Sequence, residues 1–154
     1  MSATLEVLLA EREIGRQLAR MARAMDARAW PELDGVLAAD ASADFGTGRI
    51  VGRAAIIALI RSFLDECGPT QHLLGNLTVE VAGASAASRC YVADLHLGRG
   101  AQAQLRLQTL GEYQDRWQQR AGRWWLTERL KVSRGHVGSF AVLGPGPAHW
   151  RPPE

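Results

Sequence analysis

Residues 67–81 read "CGPTQHLLGNLTVEV". Gly68-Pro69 ends the element before it, because proline has no N–H to donate and drives its predecessor out of helical geometry. Beyond it Leu77, Val79 and Val81 alternate with Thr78 and Glu80, the two-residue period of a half-buried strand. Upstream, "RAAIIALIRSFLDEC" repeats its apolar residues Ile56, Ile57, Ile60, Phe63 and Leu64 at three- and four-residue steps, the period of a helix. The stretch therefore marks a change of period, with helices before it and strands after.

Working toward the N-terminus, Leu5, Leu8, Leu9, Ile14, Leu18, Met21, Ala22 and Met25 predict a helix over about residues 3–27, with Thr4 as its N-cap. "AWPELDGVLAADA" predicts a short second helix with Pro31 early and Leu33, Val36 and Leu37 as its apolar edge. "ASADFGTGRIVG" predicts two brief extended pieces around a Gly-Thr-Gly turn. Toward the C-terminus, "ASRCYVADLHL", "AQAQLRLQTLGEYQDRWQQ" and "GRWWLTERLKVSR" predict three long antiparallel strands separated by glycine turns. Helices first and sheet afterwards define an α+β domain with three helices packed on a curved sheet. It is expected to occupy residues 1–140 as one domain, followed by a Pro/Gly-rich tail, 141–154, lying across the surface or a neighbour.

Composition removes several function classes. A chain of 154 residues with a 47% hydrophobic share can bury a core and a cavity. Arg and Asp interrupt every apolar run, so no membrane span is expected, and "MSATLEVLLAERE" does not read as a secretory signal. The net charge of +2 comes from scattered arginines without a basic stripe, which argues against nucleic acid as a partner. Cys67 and Cys90 lack metal spacing, so both are expected to be reduced structural thiols in a cytoplasmic protein. Neither a paired-histidine metal motif nor a glycine-rich phosphate loop is present, and neither metal nor cofactor is expected.

Two residues stand out chemically. Asp26 ends the first helix, where a carboxylate meets the negative end of the helix dipole. His72 lies where the first strand begins. A carboxylate that accepts from one ring nitrogen fixes the tautomer and raises the basicity of the other. Sequence spacing does not bring the pair together; only the fold can. Taken singly, Asp26 also fits a solvated helix terminus, and His72 a locally satisfied, half-buried residue.

"ARMARAMDARAW", "QHLLGNLTVEV" and "GEYQDRWQQRAGRWWLTERLKV" resemble the SnoaL-like branch of the nuclear transport factor 2-like superfamily, in element order over about residues 5–137. The resemblance implies a cone: a curved antiparallel sheet around helices, with an apolar pocket inside. Members similar in the helix-end Asp and the strand-start His include scytalone dehydratase, hexachlorocyclohexane dehydrochlorinase and a bile-acid dehydratase. By that resemblance His72 is the general base, Asp26 its orienting carboxylate, and the activity a cofactor-free elimination on a small apolar, cyclic molecule. Met25 departs from the tyrosine that precedes the aspartate in scytalone dehydratase.

His96 falls near a second histidine of that enzyme, and Asp94 shares its face. Arg129 and Arg134 fall near a pocket arginine of related enzymes. Phe45 and Trp30 complete the expected substrate contacts. Two other functions fit the same fold: isomerisation of ketosteroid type, and a non-catalytic ligand-binding or structural subunit like the small subunit of aromatic-ring dioxygenases. An apolar sheet face bearing Trp and Leu residues leads to an expected homodimer or homotrimer.

Overall fold

The computed structural model describes residues 3–153. Helix α1 (Ala3–Ala27) runs along the sheet, burying Ile14, Leu18, Met21 and Met25. Thr4 lies inside its first turn rather than capping it. The segment expected to form the second helix divides in two. Trp30–Gly35 is a 3₁₀ turn with Pro31 at its start, and Leu37–Asp44 is strand β1. Leu33, Val36 and Leu37 are buried as expected, but a run of small residues, "LAADASAD", hydrogen-bonds better to a neighbouring strand than to itself. The Gly46 and Gly48 turn, capped by Asp44 Oδ1, leads to β2 (Ile50–Val51), and α2 follows over Arg53–Leu64.

Strands β3 (Thr70–Ala82), β4 (Ser85–Leu97), β5 (Arg106–Arg120) and β6 (Arg123–Gly138) form an antiparallel meander. β1 joins it parallel to β6, so the six-stranded sheet has the order β2-β1-β6-β5-β4-β3 and is mixed. β3 starts six residues before the Asn76 where strand period first shows, which puts His72 within the strand.

Bulges decide which side chains face inward. The inward set is His72 and Leu74 at the start of β3, but Val79 and Val81 after the irregularity at Gly75–Thr78, where Asn76 takes φ 53°. In β6 the extra residue Thr127 switches the inward set from Trp124 and Leu126 to Arg129 and Lys131. A second irregularity, between Ser133 and Gly135, sets Arg134 on the outside. One extra residue in a ladder increases the local bend and exchanges the two faces. These bulges curve the sheet around α1 and α2.

The outer face of the sheet is apolar and open to solvent, with Leu73, Tyr91, Leu95, Leu97, Leu110 and Val137 all more than a third exposed. Trp117 and Trp124 are buried inside rather than on that face, and Trp125 lies under Arg123. The tail folds back over the end of the cone. Trp150 packs edge-on against Phe63 at 4.9 Å, and His149 Nε2 lies 2.8 Å from the Thr47 carbonyl oxygen. Both cysteines are buried free thiols. Among the described residues no helix is long and apolar enough to cross a membrane.

Candidate active site

The C-terminus of α1 and the start of β3 meet through Arg28. It follows the helix with φ 56°, which turns its side chain back under the helix end. Its guanidinium donates to the carbonyls of Met25, Leu64 and Gly68 and to Thr70 Oγ1, tying α1, α2 and β3 together. Asp26 then receives three hydrogen bonds from β3. Thr70 Oγ1 donates at 3.0 Å, the His72 backbone N–H donates at 3.0 Å, and His72 Nδ1 lies 2.6 Å from Oδ1.

Burial alone would raise the Asp26 pKa. The contacts from His72 and Thr70 outweigh it and hold the carboxyl below its usual value. An ionised Asp26 accepts Nδ1–H, leaving Nε2 of His72 as the free nitrogen. The helix-end position, unfavourable for a carboxylate by the dipole alone, is thus compensated by donors from the strand.

His72 also begins a row across the sheet. His72 pairs with Asp94, Asp94 with Thr109, and Thr109 with His136, each a direct cross-strand neighbour. Lys131 Nζ lies 2.5 Å from Asp94 Oδ2, and Thr109 Oγ1 donates to the same oxygen at 3.1 Å. Asp94 is 1% exposed. Burial works to raise its pKa, but Lys131 and the two histidines lower it overall, so the carboxylate is ionised. Burial pushes the neighbouring His96 down to about 4, against the attraction of Asp94, so its ring is neutral near pH 7. The His72 and His96 rings meet edge to face at 5.7 Å.

These groups line a cavity of about 470 Å³ between the sheet, α2 and the tail. Much of the remaining wall is apolar, with Met25, Ile60, Phe63, Leu107, Phe140 and Trp150, while Thr47, Ser133 and Arg151 also line it. A space of this volume holds a molecule of one to three rings.

Of the sequence candidates, Asp26 and His72 touch, and His72, His96, Asp94 and Phe45 line the cavity. Asp26 stands behind His72 without lining the cavity, and three others do not reach it either. Trp30 is buried behind it, its indole N–H donating to Asp65 Oδ1 at 3.0 Å. Arg134 is placed outside by its bulge, with its guanidinium over the exposed Tyr91 ring. Arg129 is buried one layer deeper, in a two-bond pair with Asp115 and 3.8 Å over the Tyr113 ring. His136 also faces the cavity.

Lys131, Thr109 and Tyr113 were not legible as site residues. Simple alternation along the last strand puts Lys131 in line with Trp125 and Thr127, and only the bulge separates them. An Asp-x-His pair on one strand face was the available signal, and His72 completes it. One donor atom from each of His72, Asp94 and His96 lies within 4.8 Å of the others, a cluster that spacing between histidines did not reveal. Tetrahedral coordination at ~2.1 Å would bring such donors to about 3.4 Å. His72 Nε2 and Asp94 Oδ1 are 4.0 Å apart, and the ammonium of Lys131 already neutralises Asp94. The triangle is too open for a transition metal.

The curved sheet and its helices thus enclose a cavity walled largely by apolar side chains, with the Asp26–His72 pair beside it. The family profile of the SnoaL-like domain matches residues 6–130, and the chain belongs to that family. No curated protein matches the chain by sequence.

Among solved structures, hexachlorocyclohexane dehydrochlorinase from Novosphingobium barchaimii is 18% identical with a TM-score of 0.79, covering 98% of this chain and 100% of that one. A protein from Novosphingobium aromaticivorans named after scytalone dehydratase is 20% identical with a TM-score of 0.73, covering 87% and 90%. A function-unknown protein from Mycobacterium tuberculosis is 22% identical with a TM-score of 0.76, covering 87% and 77%. At these identities the likeness shows the fold.

Proposed function

We propose that the protein is a cofactor-independent lyase, dehydratase or dehydrohalogenase in type, acting on a small, largely apolar, cyclic molecule. The reading is carried by the 2.6 Å contact between His72 Nδ1 and ionised Asp26, with the His72 ring at the cavity wall. Nε2 removes a proton from a carbon next to an activating group. Asp26 stabilises the imidazolium so formed and holds the ring in place. The electron pair left on carbon then expels the leaving group from the neighbouring carbon. The apolar part of the wall lowers the local dielectric around the Asp26–imidazolium pair and favours an apolar ring.

A scaffold subunit without chemistry needs no cavity walled by His72, Asp94, His96, Lys131 and His136, and the row from His72 to His136 favours the enzyme. The names of similar structures, a dehydrochlorinase and a scytalone dehydratase namesake, point to the same reaction class. The test is a turnover screen with ring ketones that carry a β-leaving group. Asp26→Asn and His72→Ala should each slow the best substrate by about a hundredfold or more. Losses of only a few-fold in both would reject His72 as the base.

The second copy of the chain is the partner we propose for the outer sheet face, as homodimer or homotrimer. Its exposed Leu and Val side chains leave apolar area uncovered on this face. Light scattering on Leu73→Lys and Leu110→Lys variants, each expected to shift the mass toward the monomer, checks it.

A further inference from the structure

We infer that the cavity takes a ring molecule bearing a carboxylate, which Arg151 holds at the mouth, at the end of the molecule remote from His72. This rests on the lyase reading above and narrows its substrate to ring acids.

The charges that line the cavity do not balance. Among the described residues Asp94 is the only carboxylate in its wall, and Lys131 already matches it, with Nζ 2.5 Å from Oδ2. Asp44, the acid nearest Thr47 in sequence, is spent on the N–H groups of Gly46 and Gly48. That leaves Arg151 as a lining cation with no acidic partner among the described residues.

Its guanidinium is held but not used up. Nη1 donates to the carbonyls of Ala148 and Trp150 at 2.8 and 2.7 Å, which fixes the side chain against its own turn. Nε and Nη2 have no acceptor among the described residues, and a guanidinium can only donate. Two such N–H groups on one planar fork match the two oxygens of a carboxylate. Other donors gather at the same end: Ser133 and His136 from β6, and Thr47 from the turn before β2, all line the cavity. His136 meets Phe140 at 4.7 Å, Phe140 meets Trp150 at 6.1 Å, and Arg151 follows, so a wall of rings ends at the cation.

The sheet sets the distance from the base. His72, Asp94, Thr109 and His136 are successive cross-strand neighbours, three strand spacings of ~4.8 Å or roughly 14 Å along the sheet. Curvature brings the inward side-chain ends closer than that. A carboxylate at Arg151 and a reacting carbon at His72 Nε2 are then opposite ends of a two- or three-ring skeleton. At that separation the carboxylate does not activate the carbon. It fixes which ring position meets the base, and no bond changes at Arg151.

Decalin-2-carboxylate and decalin-2-carboxamide share one ring system, carry no leaving group and report binding alone by titration calorimetry near neutral pH. The carboxylate should bind about fivefold or more tightly, and Arg151→Gln should bring the ratio near one. Raising salt from about 50 to 500 mM should weaken the carboxylate on the native chain and leave the carboxamide unchanged. Where Arg151→Gln loses both probes by disturbing the tail, this salt contrast in the native chain decides. A native ratio near one, a ratio that Arg151→Gln leaves as it was, equal salt dependence, or no measurable binding of the carboxylate overturns the inference.

Turnover separates it from the lyase reading. Among ring ketones with a β-leaving group, a carboxylate on the far ring should lower KM with little change in kcat, because Arg151 holds substrate and transition state alike. If Asp26→Asn leaves the rate unchanged while the carboxylate preference depends on Arg151, the base assignment fails and the anchor stands. If Asp26→Asn slows turnover but the carboxylate does not lower KM, the anchor fails and the base stands.

Discussion

Asp94 and His72 are direct cross-strand partners on the inner face of the sheet, with His72 Nε2 4.0 Å from Asp94 Oδ1. His72 is thus flanked by two carboxylates with separate duties. Asp26 binds the proximal ring nitrogen, while Asp94 is neutralised by Lys131 and faces the cavity beside the distal one.

The Asp94–Lys131 pair predicts non-additive stability. Lys131→Met leaves a carboxylate buried without its counter-ion and should cost about 3–5 kcal/mol. Asp94→Asn in the same chain should recover at least half of that. Urea unfolding of the two single variants and the double gives the coupling directly; additive losses would mean the ion pair is not formed in solution.

His96 predicts a pH dependence below neutrality. Its folded-state pKa, about 4, lies below the model-peptide value of 6.5, so the unfolded chain binds the proton first. Stability contributed by the neutral buried ring is complete above 6.5 and is lost as pH falls toward 4, by up to roughly 3 kcal/mol. Asp94, His72 and Lys131 are the charged or titratable groups acting on it. Asp26 and Asp94, both lowered, add a further loss below 3.8. Chemical denaturation from pH 7 to pH 4 should show the decline, and His96→Leu should flatten it.

Arg28 predicts a linked loss of stability and site order. Arg28→Gly removes the left-handed strain but also the bonds to Leu64, Gly68 and Thr70. The expected net cost is about 2–4 kcal/mol by thermal or urea unfolding, because hydrogen bonds from a charged donor outweigh the relief. The His72 ring should also lose its Asp26 contact part of the time, seen as a change in its NMR titration. An Arg28→Gly variant as stable as the native chain would contradict this tie.

Gly146 predicts control of the tail. It has φ 63°, and a Cβ there would collide with the Phe63 ring, which packs against Trp150. Gly146→Val should lift Trp150 from the cavity mouth while leaving the sheet intact. Tryptophan quenching by a neutral quencher should increase, and proteases should cleave the tail faster.

The two cysteines should resist thiol reagents until unfolding. Burial raises both, Cys90 to about 11, so neither forms the reactive thiolate at neutral pH. Labelling in native buffer at the rate seen in denaturant would contradict their buried positions.

Local periodicity was enough for the helices, the long strands and the change of regime at Gly68-Pro69, since each pattern repeats within a window of a dozen residues. It was enough also to place Val92, Asp94 and His96 on one face of β4. It failed where a single residue changes phase. Thr127 and the irregularity before Gly135 leave no mark in composition, yet they bring Lys131 in and turn Arg134 out. It failed again at residues 37–40, where the choice between helix and strand depends on the parallel partner β6.

The meeting of Asp26 and His72 spans 46 residues and is closed by Arg28, a surface-type residue in sequence that the fold uses as a clamp. Alternation and helical period are properties of neighbours along the chain, so the sequence alone determines them. Contacts, bulge phase and the unpaired atoms of the cavity are set by packing between distant segments, and only the tertiary structure decides those.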